Sequence, residues 1–157
     1  VYPLAKVADG GSRETNPLTP LGEYANAAVA RERILEHCSS QHSTPMVLLR
    51  LSYALDLRYG VIADIAAKVF RGEPIPLTTG HFCAIWQGDA NELILRSFPL
   101  AASPPCVLNL TSSRISSVQE TATRLGELLS RKPIFAGVES GTAFVSNTER
   151  MVETWGH

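Results

Sequence analysis

The stretch TPLGEYANAAVARERILEHC, Thr19 to Cys38, decides how the rest of the chain is read. Within it Tyr24, Ala27, Ala28, Arg31, Ile34, Leu35 and Cys38 recur at steps of three and four, the spacing of one helical face. The pattern predicts a helix with Tyr24 on its buried stripe and with Arg33, Glu36 and His37 largely off it. Thr19 suits the N-cap, and Pro20 the first helical position, where a missing N–H costs nothing. By periodicity alone Tyr24 is one aromatic among several on an apolar face.

Upstream, Pro3, Gly10-Gly11, Pro17 and Pro20 mark a surface loop, with Asp9-Gly10-Gly11-Ser12 as a turn. Downstream, Ser39 to Pro45 reads as a polar connector. The run Met46 to Leu51 is short and continuously apolar apart from Arg50, as in a strand buried on both faces of a parallel sheet. A helix followed by such a strand indicates an α/β layer. Ser52 to Gly60 reads as an irregular loop carrying Tyr53, Asp56, Arg58 and Tyr59. Open α/β sheets place their ligands at the carboxyl ends of strands, so these four residues are candidate substrate-binding groups.

A second helical stripe, Val61, Ile62, Ile65, Ala66, Val69 and Phe70, ends at Gly72. Ile75 to Leu77 and Phe82 to Trp86 read as short strands around a turn containing His81, with Trp86 in the core. Asp89 and Glu92 have the spacing of a capping box, and so do Ser117 and Glu120. Pro99 ends the helix after Asp89, and Lys132-Pro133 the one after Ser117. Val107 to Leu110 is a further apolar strand. Ile134-Phe135 and Ala143 to Val145 fit edge strands, and Asn147 fits the cap of a last helix, Thr148 to Trp155.

Composition removes several classes of function. The 14 basic and 15 acidic residues leave a net charge of -1, which gives no reason to expect nucleic acid or an anionic membrane as partner. No apolar run approaches the roughly 20 residues that span a bilayer. Cys38, Cys83 and Cys106 are odd in number and widely spaced, so neither a disulfide framework nor a metal site is expected, and free thiols fit the cytoplasm. The chain opens on Val1-Tyr2 and stops at His157, which reads as a piece of a larger protein.

Taken in order, these segments resemble the C-terminal half of the NAD-dependent epimerase/dehydratase family, the extended short-chain dehydrogenase/reductases. Val1-Tyr2 is similar to the end of that family's Gly-Asn-Val-Tyr-like segment. Tyr24 stands where the family has the tyrosine of Tyr-x-x-x-Lys, and Ala30 to Leu35 follows a similar pattern. Val47 to Arg50, Arg71 to Ile75, Ile85 to Leu95 with Asp89, and Pro133 to Gly137 are similar to the later segments. The resemblance covers nearly the whole of residues 1 to 157. It implies a partial Rossmann-like doubly wound sheet with a small substrate-binding α/β lobe. It also implies NAD or NADP as cofactor in the complete fold and a sugar nucleotide or related small molecule as substrate. In such enzymes the tyrosine moves a proton at a substrate hydroxyl or carbonyl while the nicotinamide gives or takes hydride.

Three departures bear on activity. The family's glycine-rich turn after a first buried strand is absent; Gly10-Gly11 follows no such strand, and Gly137 and Gly141 have the wrong spacing. The lysine is replaced by Ala28. Four residues beyond the tyrosine, a lysine holds the nicotinamide ribose and draws the phenol down from about 10; alanine does neither. Arg31 lies two turns from Tyr24, roughly 10 Å by helical rise. The family's polarising serine or threonine would precede Val1. Tyr24 and Ala28 thus occupy the catalytic and cofactor-facing positions of an incomplete apparatus. Three outcomes are consistent with this: an enzyme fragment inactive by itself, a non-catalytic pseudoenzyme or binding module, and a similar layer order with no dinucleotide link. A sheet lacking its first strands is further expected to self-associate, as a homodimer or an aggregate.

Overall fold

A computed structural model describes residues 1–156. In chain order the elements are β1 (Ala5–Lys6), α1 (Gly22–His42), β2 (Val47–Leu51), β3 (Tyr53–Leu55), α2 (Val61–Arg71), β4 (Pro74–Pro76), β5 (His81–Trp86) and α3 (Gln87–Arg96). They continue with β6 (Cys106–Leu110), β7 (Ile115–Ser117), α4 (Val118–Leu129), β8 (Ile134–Ala136), β9 (Thr142–Ala143) and α5 (Glu149–Trp155). The chain is α/β, as the alternation of apolar runs and helical stripes requires.

Two bodies result. In the first, β2 and β6 pair in parallel, Leu48 against Val107 and Arg50 against Asn109. Ile85, Ala90, Leu110 and Met151 form its core, with Leu49, Leu93 and Trp155 packed against them. In the second, β5 is central between β3 (parallel) and β7 (antiparallel), and β4 pairs in parallel with β8. Its core is Ile65, Val69, Ile75, Leu77, Phe82, Val118 and Ala122. These come from the buried stripes of α2 and α4 and from the inward residues of β4 and β5. This is the small lobe, and β2–β6 is the Rossmann-like part. The N-terminal segment is tied to the C-terminal part of the chain by antiparallel β1–β9 pairing, Ala5 against Ala143.

Two local expectations hold for a stated reason. Gly72 takes the left-handed conformation, φ 69°, and its N–H caps α2. Ser117 Oγ accepts from the N–H of Glu120 and opens α4.

Others are corrected. Leu21, not Thr19, precedes the first turn of α1, with no side-chain cap, and Pro20 lies outside the helix. The helix runs on through Ser39 to His42, because Ser39 is buried with its hydroxyl donating to the Thr44 carbonyl at 2.7 Å. Ser52 to Gly60 is not wholly irregular, since Tyr53 to Leu55 extends the lobe sheet as β3. α3 begins at Gln87, so Asp89 sits inside its first turn rather than at a cap. His81 belongs to β5, paired with Ser117, rather than to a turn. Trp86, at the end of β5, is 45% exposed and is not a core residue. α5 starts one residue later than expected, with Thr148 rather than Asn147 at its N-cap, although Asn147 Oδ1 does accept from the N–H of Glu149.

The largest correction concerns the opening helix. Its fully buried residues are Val29, Glu32 and Ser39, with Ala25, Ala28, Leu35, Glu36 and Cys38 half-buried beside them, and Tyr24 is 89% exposed. This stripe is the expected one displaced by a single residue, a rotation of about 100°. Polar groups cause it. Glu32 and Ser39 find complete partners inside, and that fixes the helix rotation against a weak apolar preference.

Candidate functional site

The site is organised by Arg50, the one charged residue in the apolar strand β2. A charge at such a position needs partners, and it donates four hydrogen bonds to three residues. Its Nε donates to Glu32 Oε2 at 3.0 Å, and its Nη2 donates to Glu32 Oε1. Its Nη1 donates to the Tyr2 phenol oxygen and, at 3.0 Å, to the Glu14 carbonyl. The guanidinium also lies over the Tyr2 ring, 5.1 Å from the centroid. The Arg50 and Glu32 side chains are each 10% exposed. Burial opposes the Arg50 charge, but the hydrogen bonds it donates to Glu32 and Tyr2 outweigh it and hold the guanidinium protonated above its ordinary range.

Tyr2 passes the network inward. Its hydroxyl donates to Asn109 Oδ1 at 2.8 Å. Asn109, fully buried on β6, donates from Nδ2 to the carbonyls of Ser12 and Asn147, each at 2.9 Å. Its N–H donates to Glu14 Oε1 at 2.8 Å. Burial pushes the Tyr2 phenol up, with Arg50 partly opposing. The N-terminal loop is thus stitched onto the β2–β6 pair. Gly11 permits the closest approach: its φ is 90°, and a Cβ there would lie 2.7 Å from the Val145 carbonyl oxygen.

Beside this network, past the carboxyl end of β2, is a cavity of about 460 Å³. Tyr2, Tyr24, Arg50, Ser52, Tyr53 and Phe144 are on its wall. Of the residues singled out in the sequence, the fold therefore brings Tyr24 and Tyr53 together. Ala28, one turn along α1, is half-buried and does not line this cavity. Asp56, Arg58 and Tyr59 lie in a turn outside it. Arg58 is spent on Asp56, through its Nε at 3.1 Å and its backbone N–H at 3.0 Å. Those bonds hold the Asp56 carboxyl below its usual value. The Tyr59 hydroxyl donates to Gln87 Oε1.

Periodicity and loop placement missed Tyr2, Glu32 and Asn109. One signal was available: an arginine inside an apolar strand announces a buried partner. The acid that supplies it, Glu32, lies off the apolar stripe of α1, and Asn109 interrupts β6 in the same manner as Arg50 interrupts β2.

A second cavity, of about 330 Å³, lies in the lobe and also has Tyr53 and Phe144 on its wall. Among the described residues no group of three or more His, Cys, Asp or Glu is placed to hold a metal ion. No described helix is long and apolar enough to cross a membrane. The residues present do not fit a dinucleotide by themselves. Ala28 offers no cation to a ribose or pyrophosphate, and among the described residues no glycine-rich turn joins a buried strand to a helix.

No protein-family model and no curated protein matches the sequence. Solved structures do match the fold. A UDP-glucose 4-epimerase from Thermotoga maritima, solved with UDP-glucose, is 18% identical, with a TM-score of 0.71 over 90% of this chain and 50% of that one. A dTDP-glucose 4,6-dehydratase from Bacillus anthracis, in complex with NAD, is 16% identical, with a TM-score of 0.71 over 92% and 49%. A Thermus thermophilus UDP-glucose 4-epimerase in complex with NAD is 20% identical, with a TM-score of 0.66 over 92% and 52%. The chain shares the Rossmann-like fold of these structures, and it spans about half the length of each.

Proposed function

We propose that this chain is the substrate-binding half of an NAD(P)-dependent epimerase, dehydratase or reductase acting on a sugar nucleotide or similar small molecule. The observation that carries the reading is the joint placement of Tyr24 and Tyr53 on one cavity at the carboxyl end of β2, in this fold. Tyr24 would exchange a proton with a substrate oxygen, and Tyr53 would pack against the sugar. The dinucleotide, in this reading, is held by residues outside this chain, and the chain alone is inactive. The free thiols support a reducing, cytoplasmic setting. The exposed Leu21 before α1, with Tyr24 and Ile34 on it, supports self-association, which sedimentation of the purified chain would reveal.

The test is turnover of UDP-glucose with NAD by the protein that carries this chain. Tyr24→Phe should lower the rate by at least about 100-fold, the scale of a lost general acid–base group. An unchanged rate would remove Tyr24 from the chemistry.

Ala28 favours a second reading, a pseudoenzyme that keeps the cavity without the reaction. Wild-type turnover that depends on Tyr24 excludes it. Activity created by Ala28→Lys, where there was none, supports it.

A further inference from the structure

We propose that a cavity beyond the carboxyl end of β6, between α3 and α5, binds a small aromatic amine that carries a phenolic hydroxyl. The site is separate from the one read as the reacting site. Its wall shares no residue with the Tyr24 cavity or with the lobe cavity. Its volume is about 340 Å³, within the range of small-ligand sites.

The body of the cavity is apolar. Ile85, Leu93, Met151, Val152 and Trp155 line it, and all five belong to the core that also holds Leu110 of β6. Such a wall receives a ring, and Trp155 offers it an aromatic face or edge.

Two polar groups on this wall select what the ring must carry. Thr111, the residue that follows β6, is 0% exposed, and its hydroxyl has no hydrogen-bond partner. Among the described residues the only other such side-chain atom is His81 Nδ1, which does not line this cavity. A buried hydroxyl is costly to leave unpaired, and a ligand that brings a donor or an acceptor removes that cost. At the rim stand the exposed Asp89, Glu92 and Arg96. Arg96 pairs with Glu92 at 3.4 Å, so Asp89 is the uncompensated charge. It enters none of the ion pairs among the described residues. Nor does Asp89 cap its helix: α3 opens at Trp86 with no side-chain cap. A carboxylate left free of both duties attracts a cation and repels an anion. A phenolic amine answers both groups, its ammonium at Asp89 and its hydroxyl at Thr111, with the ring between them.

The test is titration of the full chain with tyramine, read by tryptophan fluorescence and by calorimetry. The chain has two tryptophans, so a Trp86→Phe background leaves Trp155, on the cavity wall, as the reporter. The expected result is a saturable change in Trp155 emission. Asp89→Asn and Thr111→Val should each weaken tyramine about tenfold, the scale of one hydrogen bond to a charged or buried group. Phenethylamine, which lacks the hydroxyl, should bind equally to wild type and Thr111→Val. Tyrosol, which lacks the ammonium, should bind equally to wild type and Asp89→Asn. Thr111→Val should also melt no lower than wild type, because the hydroxyl it removes has no partner within the protein. A lower melting temperature with unchanged tyramine affinity would assign that hydroxyl to a buried water and overturn the proposal. No saturable Trp155 change at millimolar tyramine, or an Asp89→Asn chain that binds tyramine as wild type does, overturns it as well.

Discussion

Arg50 and Arg58 each hold a carboxylate, one on β2 and one in the turn after β3, and their surroundings make them different objects. The Arg50 and Glu32 side chains are each 10% exposed, and the guanidinium also serves Tyr2 and the Glu14 carbonyl. The Arg58 side chain is 80% exposed and serves Asp56 alone, two residues away. The first pair joins α1, β2 and the N-terminal loop, so it fixes where Tyr24 stands relative to the cavity. The second stiffens a turn. Identical chemistry becomes architecture when water is excluded and the partners come from distant segments. When they are adjacent and solvated, it stays a local ornament of the backbone.

The comparison breaks first at Arg50. Arg50→Met leaves Glu32 buried and unpaired, and should cost about 3–5 kcal/mol in urea unfolding. Adding Glu32→Leu should recover most of that loss, because replacing both ions removes the orphaned charge. If the single substitution costs no more than Arg58→Met, the contrast between the two pairs is wrong.

Next comes the stitching of the loop. Gly11→Ala meets both a left-handed φ and the Val145 carbonyl, and should cost about 2 kcal/mol by the same measurement.

Alkaline pH sharpens the picture at the buried acids. Burial raises both the Tyr2 phenol and the Cys83 thiol in the folded chain. Unfolding lets each ionise at its ordinary value, about 10 and about 8.5, so the unfolded state then binds fewer protons. Stability is therefore fully present below those values and falls as pH rises past them. Melting curves should show Tm dropping by roughly 2–4 °C between about pH 8 and 10. A flat Tm across that window would mean that neither group is shielded.

The smallest effect belongs to the exposed turn. Arg58→Ala should change stability by less than about 0.5 kcal/mol.

Much of the fold was legible in the sequence. The parallel β2–β6 pair follows from two short apolar runs, the C-terminal end of α2 from Gly72, and the start of α4 from Ser117. What periodicity could not supply was the rotation of α1. Its apolar stripe is weak, and two polar residues, Glu32 and Ser39, go inside because Arg50, Thr44 and Ser103 satisfy them. Helical periodicity followed Tyr24, Ile34 and Leu35, which put Arg31 on the stripe and Glu32 off it, one position from where the helix faces. The candidate site was half legible for a similar reason. Tyr24 and Tyr53 reach one cavity from two segments, whereas Asp56 and Arg58 satisfy each other locally and take no part in its wall. Asp89 and Glu92 read as a helix cap by their spacing, and only the folded chain shows both beside a cavity.

The central claim is that this chain carries the substrate half of a site and not the dinucleotide half. Titration of NADH or NADPH with the purified chain, followed by nicotinamide fluorescence, tests it directly. The account predicts no saturable change at micromolar concentrations; a micromolar Kd would contradict it.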